Sequence, residues 1–183
     1  MNPLYQKVKN IVESGEIGDI RRTNWIITKW WRPQGYYDQS NWRGTWRGEG
    51  GGVLLNQAPH QLDLWQWICG MPVKIFSKVR FGYKRNISVE DEVSALVEYE
   101  NKATGSFITC THDVMGIDRF EIHGDLGKII VEDSKKLIIK RLIKTILTSW
   151  KLLMLKGRNS IFVVPLSIVP SIIPVLGDLI ISF

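Results

Sequence analysis

Three polar residues that could bind and deprotonate a hydroxyl group, Asn56, His60 and Asp63, lie within one short segment of the chain. Their spacing matches the period of an α-helix, so a helix from about residue 56 would align them on one face, with Trp67 one turn further along. Histidine titrates near neutral pH and is therefore the candidate general base. Asparagine cannot accept a proton, but its amide can hydrogen-bond a substrate hydroxyl.

The same residues also fit a structural role. Most polar side chains on a packed helix serve structure, and the neighbouring Leu62, Trp65 and Ile68 would form the buried face of this helix. However, a glycine-rich loop, GEGGG (residues 48–52), precedes the segment and would allow a ligand to approach the backbone closely. The combination favours a binding or catalytic site.

Two other kinds of site are disfavoured. The loop offers a lone GxG, and Val53 stands where a dinucleotide-binding fingerprint needs its last glycine. The HxxD pair supplies at most two zinc ligands, and His112 and His123 lie in separate predicted strands. Cys69 and Cys110 are isolated and form no CxxC motif. We therefore predict no metal site.

The elements around this segment begin with a helix that starts at Asn2 and Pro3 and ends near Gly15. Residues 19–31 favour a strand, and the glycines and proline of residues 32–52 indicate a long loop. Inside the candidate helix, Pro59 would clash with a preceding carbonyl. We therefore expect a kink or a late helix start.

The rest of the domain is strand-like. The strand candidates are PVKIFSKVRFGY, EVSALVEYE, TGSFITCTHDV, RFEIHG and GKIIVEDSKKLIIKRL. They predict an α+β fold, an open and mainly antiparallel β-sheet with helices packed on one face. The other face also needs cover, so we expect a homodimer or other homo-oligomer that pairs through it.

The net charge of +6 is confined to the end of the sequence. Residues 1–127 contain 15 Lys and Arg and 15 Asp and Glu, so they carry no net charge. No predicted helix gathers arginines as a groove-reading helix does, and we expect no nucleic-acid partner. The polar N-terminus lacks the apolar core of a signal peptide, and the isolated cysteines fit a reducing cytoplasm.

Four segments together resemble the Gfo/Idh/MocA oxidoreductases. These segments are GEGGGVLLNQAPHQLDLWQWICG, SGEIGDIRRTNW, VEDEVSALVEYENKATGSF and RFEIHGDLGKIIVED, and the resemblance extends over roughly residues 2–142. In that family an N-terminal Rossmann domain binds NAD or NADP, and a C-terminal α/β domain carries the sugar or polyol site and often the oligomer interface. This chain resembles the second domain.

The resemblance also implies roles for individual residues. The family presents a D-x-x-x-H pair followed by another Asp, which match Asn56, His60 and Asp63 in this sequence. Asn56 in place of Asp is a departure that removes one proton acceptor, so proton transfer would fall on His60 or on a lysine elsewhere, and we assign His60 as the catalytic residue. Asp63 would orient the imidazole. Any single indole of the tryptophan-rich segments fits the core or a dimer interface, but tryptophans interleaved with Arg32, Arg43 and Arg47 suit a sugar. We assign substrate binding to Asn56, Asp63, Arg43, Trp42 and Trp30.

Other parts of the family pattern are missing. No GxGxxG follows a strand, and the E-K-P segment that carries the family's catalytic lysine is absent from this sequence. The resemblance therefore implies an N-terminally truncated enzyme or an isolated domain that lacks its NAD or NADP site. The alternative is a noncatalytic binding or assembly module.

The composition changes abruptly near residue 143. Residues 161–183 are long enough to cross a bilayer, but they contain three prolines and Asp178. We therefore favour a frameshifted or rearranged end over a membrane anchor, although the lysines before it leave contact with an anionic membrane open. The predicted division is a domain of residues 1–142 and a basic, then hydrophobic tail of residues 143–183.

Overall fold

A computed structural model describes residues 2–142 of the chain. This part folds into helices on one side of a single β-sheet. In chain order the elements are α1 (Pro3–Glu13), β1 (Ile20–Ile27), α2 (Gln34–Asp38), a π-helical turn called the π turn (Val53–Gln57), α3 (Pro59–Cys69), β2 (Lys74–Phe81), β3 (Glu90–Glu98), β4 (Thr104–Cys110), β5 (Asp118–Gly124), β6 (Gly127–Glu132) and β7 (Lys136–Arg141).

Helix α1 follows the predicted N-terminal signals. The side chain of Asn2 accepts a hydrogen bond from the backbone N–H of Leu4 at 2.9 Å, which caps the helix. Tyr5, Val8 and Ile11 recur every three residues and are buried, so one face of α1 packs on the core. The predicted N-terminal helix is confirmed.

The seven strands form one sheet in the order β2-β3-β4-β1-β5-β6-β7. Every neighbouring pair is antiparallel except β1 and β4, which run parallel. Strand β1 therefore lies in the middle of the sheet, between strands that come much later in the chain. The predicted α+β fold class, with its mainly antiparallel sheet, is confirmed.

The core lies between one face of the sheet and helices α1 and α3. Trp25 of β1 is fully buried and stacks on Phe120 of β5, with ring centroids 4.3 Å apart. Trp65 of α3 stacks on Phe107 of β4 at 5.6 Å and donates its indole N–H to Thr23 Oγ1 at 3.0 Å. These contacts fix α3 on the sheet, and α3 in turn carries His60.

The opposite face of the sheet, here called the outer face, exposes apolar side chains. Phe76 of β2 and Leu96 of β3 are paired in register, and their exposed fractions are 66% and 63%. Ile26 and Ile108 form a second apolar pair at the centre of the same face. No helix of the described part covers this face, as the sequence predicts.

Two strand predictions need correction. GKIIVEDSKKLIIKRL was expected to be a single strand, but it forms β6 and β7 around a turn. Asp133 and Ser134 occupy that turn with φ values of 51° and 55°, a conformation for which the sequence gives no glycine signal. Strand β1 ends at Ile27, four residues before the predicted end of the run at Trp31.

Within residues 2–142, no helix has both the length and the apolar character needed to cross a bilayer. The predicted hydrophobic tail, residues 143–183, lies outside the described residues.

Candidate functional site

The segment that carries Asn56 and His60 is divided between two elements. Asn56 lies in the π turn, whereas His60 lies in the first turn of α3. The N–H of Ala58 donates to the carbonyl of Val53 at 2.9 Å and closes the wide turn. Because proline has no N–H and fits the first position of a helix, α3 begins at Pro59. The predicted late helix start is confirmed, and the α-helical stripe does not extend back to Asn56.

The glycine-rich loop packs against the chain itself. A Cβ on Gly52 would overlap the backbone carbonyl of Glu90, and a Cβ on Gly51 would lie 3.0 Å from Leu55. The Glu90 side chain also accepts a hydrogen bond from the N–H of Leu54 at 3.2 Å. The close approach that glycine permits is therefore used to seat the π turn on β3.

Glu49, within the same loop, is a buried carboxylate. Its side chain is 3% exposed, and its Oε2 accepts a hydrogen bond from the N–H of Gly44 at 2.7 Å. Its Oε1 accepts a hydrogen bond from the Asn56 amide and lies 3.8 Å from Arg43 Nη1. Because the amide nitrogen of Asn56 is bound to Glu49, its Oδ1 is left as an acceptor.

Two arginines connect this carboxylate to Gln57, the last residue of the π turn. Arg43 donates to the Tyr36 hydroxyl at 2.6 Å, and its guanidinium lies 4.5 Å from the rings of both Tyr36 and Trp42. Arg32 lies 5.0 Å from the Tyr36 ring and donates to Gln57 Oε1 at 2.9 Å. The contacts form a closed circuit, here called the polar ring, whose members are Asn56, Glu49, Arg43, Tyr36, Arg32 and Gln57.

The polar ring rests on buried groups of α2 and on the segment that follows β4. Tyr37 contacts Tyr36 edge to face at 5.1 Å and donates to Thr111 Oγ1 at 3.3 Å. Burial raises the pKa of the Tyr37 phenol, so the hydroxyl stays a neutral donor. The backbone N–H of Arg32 donates to the carbonyl of Thr111 at 2.7 Å. The ring is therefore tied to the sheet through Thr111.

His60 and Asp63 lie on the exposed surface of α3. In the described part of the chain, no hydrogen bond or ion pair joins Asp63 to His60, so the expected orienting contact is not formed. Exposure leaves both side chains accessible to a ligand, and their assigned roles remain predictions.

The structure separates the two tryptophans that were assigned to substrate binding. Trp42 is 49% exposed and stacks with Arg43 beside the polar ring. Trp30 is half-buried and packs against the core. Of the predicted site residues, Asn56, Arg43 and Trp42 therefore lie together, His60 and Asp63 lie on α3, and Trp30 contributes to packing.

Sequence reasoning missed Glu49, Tyr36, Arg32 and Gln57 as members of this site. A glutamate enclosed by glycines in GEGGG was the available signal, because an acid in such a loop needs donors if the loop is buried. The sequence indicates Arg32 only as one of the arginines interleaved with tryptophans. Its Nε is buried without a hydrogen-bond partner within residues 2–142, and this unused donor points to a binding role.

Among the described residues, one group of side chains has the composition of a metal site. It consists of Cys110, His112 and Asp113, at and just beyond the end of β4, and it lies outside the polar ring.

A family model described as the GFO/IDH/MocA C-terminal domain matches residues 5–130. No curated protein sequence matches the chain. Among solved structures, the WlbA dehydrogenase from Chromobacterium violaceum, in complex with NADH and UDP-GlcNAcA, is 32% identical with a TM-score of 0.64. That match covers 71% of this chain and 37% of the dehydrogenase.

Two further solved structures are similar. The WlbA dehydrogenase from Bordetella pertussis, also with NADH and UDP-GlcNAcA, is 29% identical with a TM-score of 0.70, over 75% of this chain and 42% of that one. Levoglucosan dehydrogenase in complex with NADH and L-sorbose is 22% identical with a TM-score of 0.68, and the match covers 76% of this chain and 41% of that one. This enzyme shares the fold. The chain thus spans less than half the length of these relatives.

Proposed function

This chain belongs to the GFO/IDH/MocA oxidoreductase family, whose C-terminal domain it matches, and we propose that it supplies the substrate-binding half of an NAD-dependent dehydrogenase acting on a sugar. The observation that carries the proposal is the polar ring. It presents the free Oδ1 of Asn56 next to α3, the helix on which His60 is exposed. The substrate is a sugar, a polyol or a related hydroxyl compound.

The chemistry of the ring favours a charged sugar, and we take a UDP-linked sugar acid as the first substrate to test. The two WlbA dehydrogenases are solved with UDP-GlcNAcA, a nucleotide sugar that carries phosphates and a carboxylate. Arginine pairs with both groups, and Arg32 retains a buried Nε without a partner in the described part of the chain. The half-exposed indole of Trp42 offers an apolar surface for a sugar or a base.

In the proposed reaction His60 accepts the proton of the substrate hydroxyl as the C–H bond on the same carbon breaks. NAD, when bound by a separate domain, would accept the hydride. Asn56 Oδ1 accepts a hydrogen bond from a neighbouring hydroxyl and fixes the sugar without taking up a proton. Asp63, exposed on the same helix, would accept a hydrogen bond from a further hydroxyl of the substrate.

Several finer assignments belong to this proposal. Residues 1–142 act as the substrate and oligomerisation domain, and residues 143–183 are a separate tail. The separate domain binds NAD or NADP, and a cytoplasmic location remains a prediction from the cysteine pattern.

A noncatalytic assembly module is the second candidate. The observation that favours it is the uncovered outer face, where Phe76 and Leu96 form an exposed apolar pair. Such a module would bind a relative through this sheet and would not need His60.

The test is a chimera in which the NADH-binding part of the Chromobacterium violaceum enzyme precedes this chain. Binding of NADH to the chimera first shows that the joined half is folded. NAD reduction is then measured with UDP-GlcNAcA, UDP-GlcNAc and levoglucosan. We expect turnover with UDP-GlcNAcA at least about tenfold above that with UDP-GlcNAc, which lacks the carboxylate.

Arg32→Ala should abolish that preference, because Arg32 carries the buried Nε that has no partner within the described residues. Arg47→Ala is the matched control, since Arg47 lies exposed and outside the polar ring. A chimera that binds NADH but oxidises none of the three compounds would favour the assembly module.

A further inference from the structure

The segment that follows β4 brings three metal-ligating side chains together. Cys110 ends β4, and His112 and Asp113 follow it in the sequence CTHD. Each offers one donor atom, and the three atoms lie within 4.8 Å of one another. Cys110 is a free cysteine and is buried, whereas the side chain of Asp113 is 46% exposed, so the group is accessible from solvent on one side.

The imidazole of His112 is held from its far side. Its Nε2 lies 2.9 Å from Oε2 of Glu92, which is paired in register with Cys110 on the neighbouring strand. Glu92 is itself fixed by Arg80, whose Nε lies 3.4 Å from Oε1. Tyr83 contacts the imidazole edge to face at 5.8 Å. The orientation of the ring is thus set by groups that do not belong to the donor cluster.

The near side of the imidazole faces acceptors. His112 Nδ1 lies 3.5 Å from Asp113 Oδ1. If Nε2–H donates to Glu92, the neutral ring presents a lone pair at Nδ1 to a carboxylate oxygen, and a cation between them would resolve the repulsion. Metal-bound histidines usually donate their other N–H to a carboxylate, which fixes the orientation of the imidazole, and Glu92 is placed to accept that N–H from His112. The competing explanation is an imidazolium that donates to both carboxylates.

We propose that Cys110, His112 and Asp113 form a Zn²⁺ site, with Glu92 as the residue that positions His112. Thiolate, imidazole and carboxylate are the three ligand types that zinc takes, and water would complete a tetrahedron. On binding, the Cys110 thiol loses its proton to solvent, so two negative ligands balance the divalent ion. The proposal departs from the sequence prediction of no metal site, which rested on the HxxD pair, the separated histidines and the lack of a CxxC motif.

The site would brace the candidate substrate site. Thr111 lies between Cys110 and His112. Its carbonyl accepts a hydrogen bond from the backbone N–H of Arg32 at 2.7 Å, and its Oγ1 accepts one from the Tyr37 hydroxyl. A metal ion bound by Cys110 and His112, the neighbours of Thr111 on either side, would hold Thr111 and its hydrogen bonds to Arg32 and Tyr37 in place. Its role is structural, and it does not depend on the proposed dehydrogenase reaction.

The test uses the purified full chain after metal removal by a chelator. Titration with Zn²⁺ in a calorimeter should show one ion bound per chain with micromolar or tighter affinity, and Co²⁺ should give a thiolate-to-metal charge-transfer band. Cys110→Ser should remove the band, while Cys69→Ser, which changes the other free cysteine, should retain it. Glu92→Gln should keep the band but weaken Zn²⁺ binding roughly 10- to 100-fold.

His112→Gln gives an independent check, because it should remove binding while leaving Cys110 intact. Circular dichroism of each variant without metal establishes that it is folded. Absence of stoichiometric Zn²⁺ binding by the unmodified chain would overturn the proposal and favour the imidazolium. Binding that survives both Cys110→Ser and His112→Gln would also overturn it.

Discussion

At the scale of single residues, the buried carboxylate of Glu49 determines what Asn56 can do. By accepting one N–H of the Asn56 amide, it orients that side chain and leaves Oδ1 as an acceptor for a ligand. The sequence allowed Asn56 to be selected as a polar residue near a glycine loop, but the partner that orients it could not be predicted. The two side chains meet because the loop folds back, a tertiary effect that helical spacing does not contain.

Glu49→Ala tests this role. The change leaves the N–H of the buried Gly44 without its acceptor and removes the partner of the exposed Asn56 amide, so we expect a loss of about 2 kcal/mol in the free energy of unfolding. Urea denaturation measures the loss. Glu100→Ala, at an exposed position after β3, is the control and should change stability by less than about 0.5 kcal/mol. Equal stability of the two variants would show that Glu49 does not hold the loop.

At the scale of elements, local signals identified most helices and strands. Helix α1 followed from its cap and its apolar period, and Pro59 indicated where α3 starts. The π turn was not predicted. Its hydrogen bonds span one residue more than those of an α-helix, and a segment of five residues is too short to show a periodic pattern. The hairpin of β6 and β7 was missed because its turn uses Asp133 and Ser134 in place of glycine.

Gly52→Ala tests how the π turn is seated. A Cβ there would overlap the Glu90 carbonyl, which belongs to a strand backbone and cannot move aside, so we expect a loss of at least about 2 kcal/mol. The control is Gly35→Ala in α2, where a Cβ meets open space. It should leave stability unchanged or raise it by up to about 1 kcal/mol, because alanine restricts the unfolded chain. A neutral Gly52→Ala, measured by thermal unfolding, would contradict the described packing.

At the scale of the whole molecule, the class of the fold followed from the run of strands, but its topology did not. Parallel pairing of β1 with β4 requires a contact between segments about 80 residues apart, as for Trp25 and Phe107. No spacing rule in the sequence specifies that partner. The outer face was predicted because one side of EVSALVEY mixes polar and apolar residues, and the exposed Leu96 lies on that side.

Leu96→Lys tests pairing through the outer face. If two copies pack their exposed Phe76 and Leu96 side chains together, a lysine there would bury a charge at the contact, and light scattering should change from dimer to monomer. Met115→Lys is the control, since Met115 is 90% exposed in a loop. A monomer before any substitution would reject this interface.

Turnover of the chimera with His60→Ala distinguishes a catalytic His60 from a structural one. His60 is the group assigned to take the substrate proton, so removal of its side chain should lower kcat by roughly two to four orders of magnitude with little change in NADH affinity. Gln66→Ala, at an exposed position on the same helix, should keep the rate of the unmodified chimera. If His60→Ala oxidises the sugar as fast as the unmodified chimera, His60 is not the base and the proposed site is wrong.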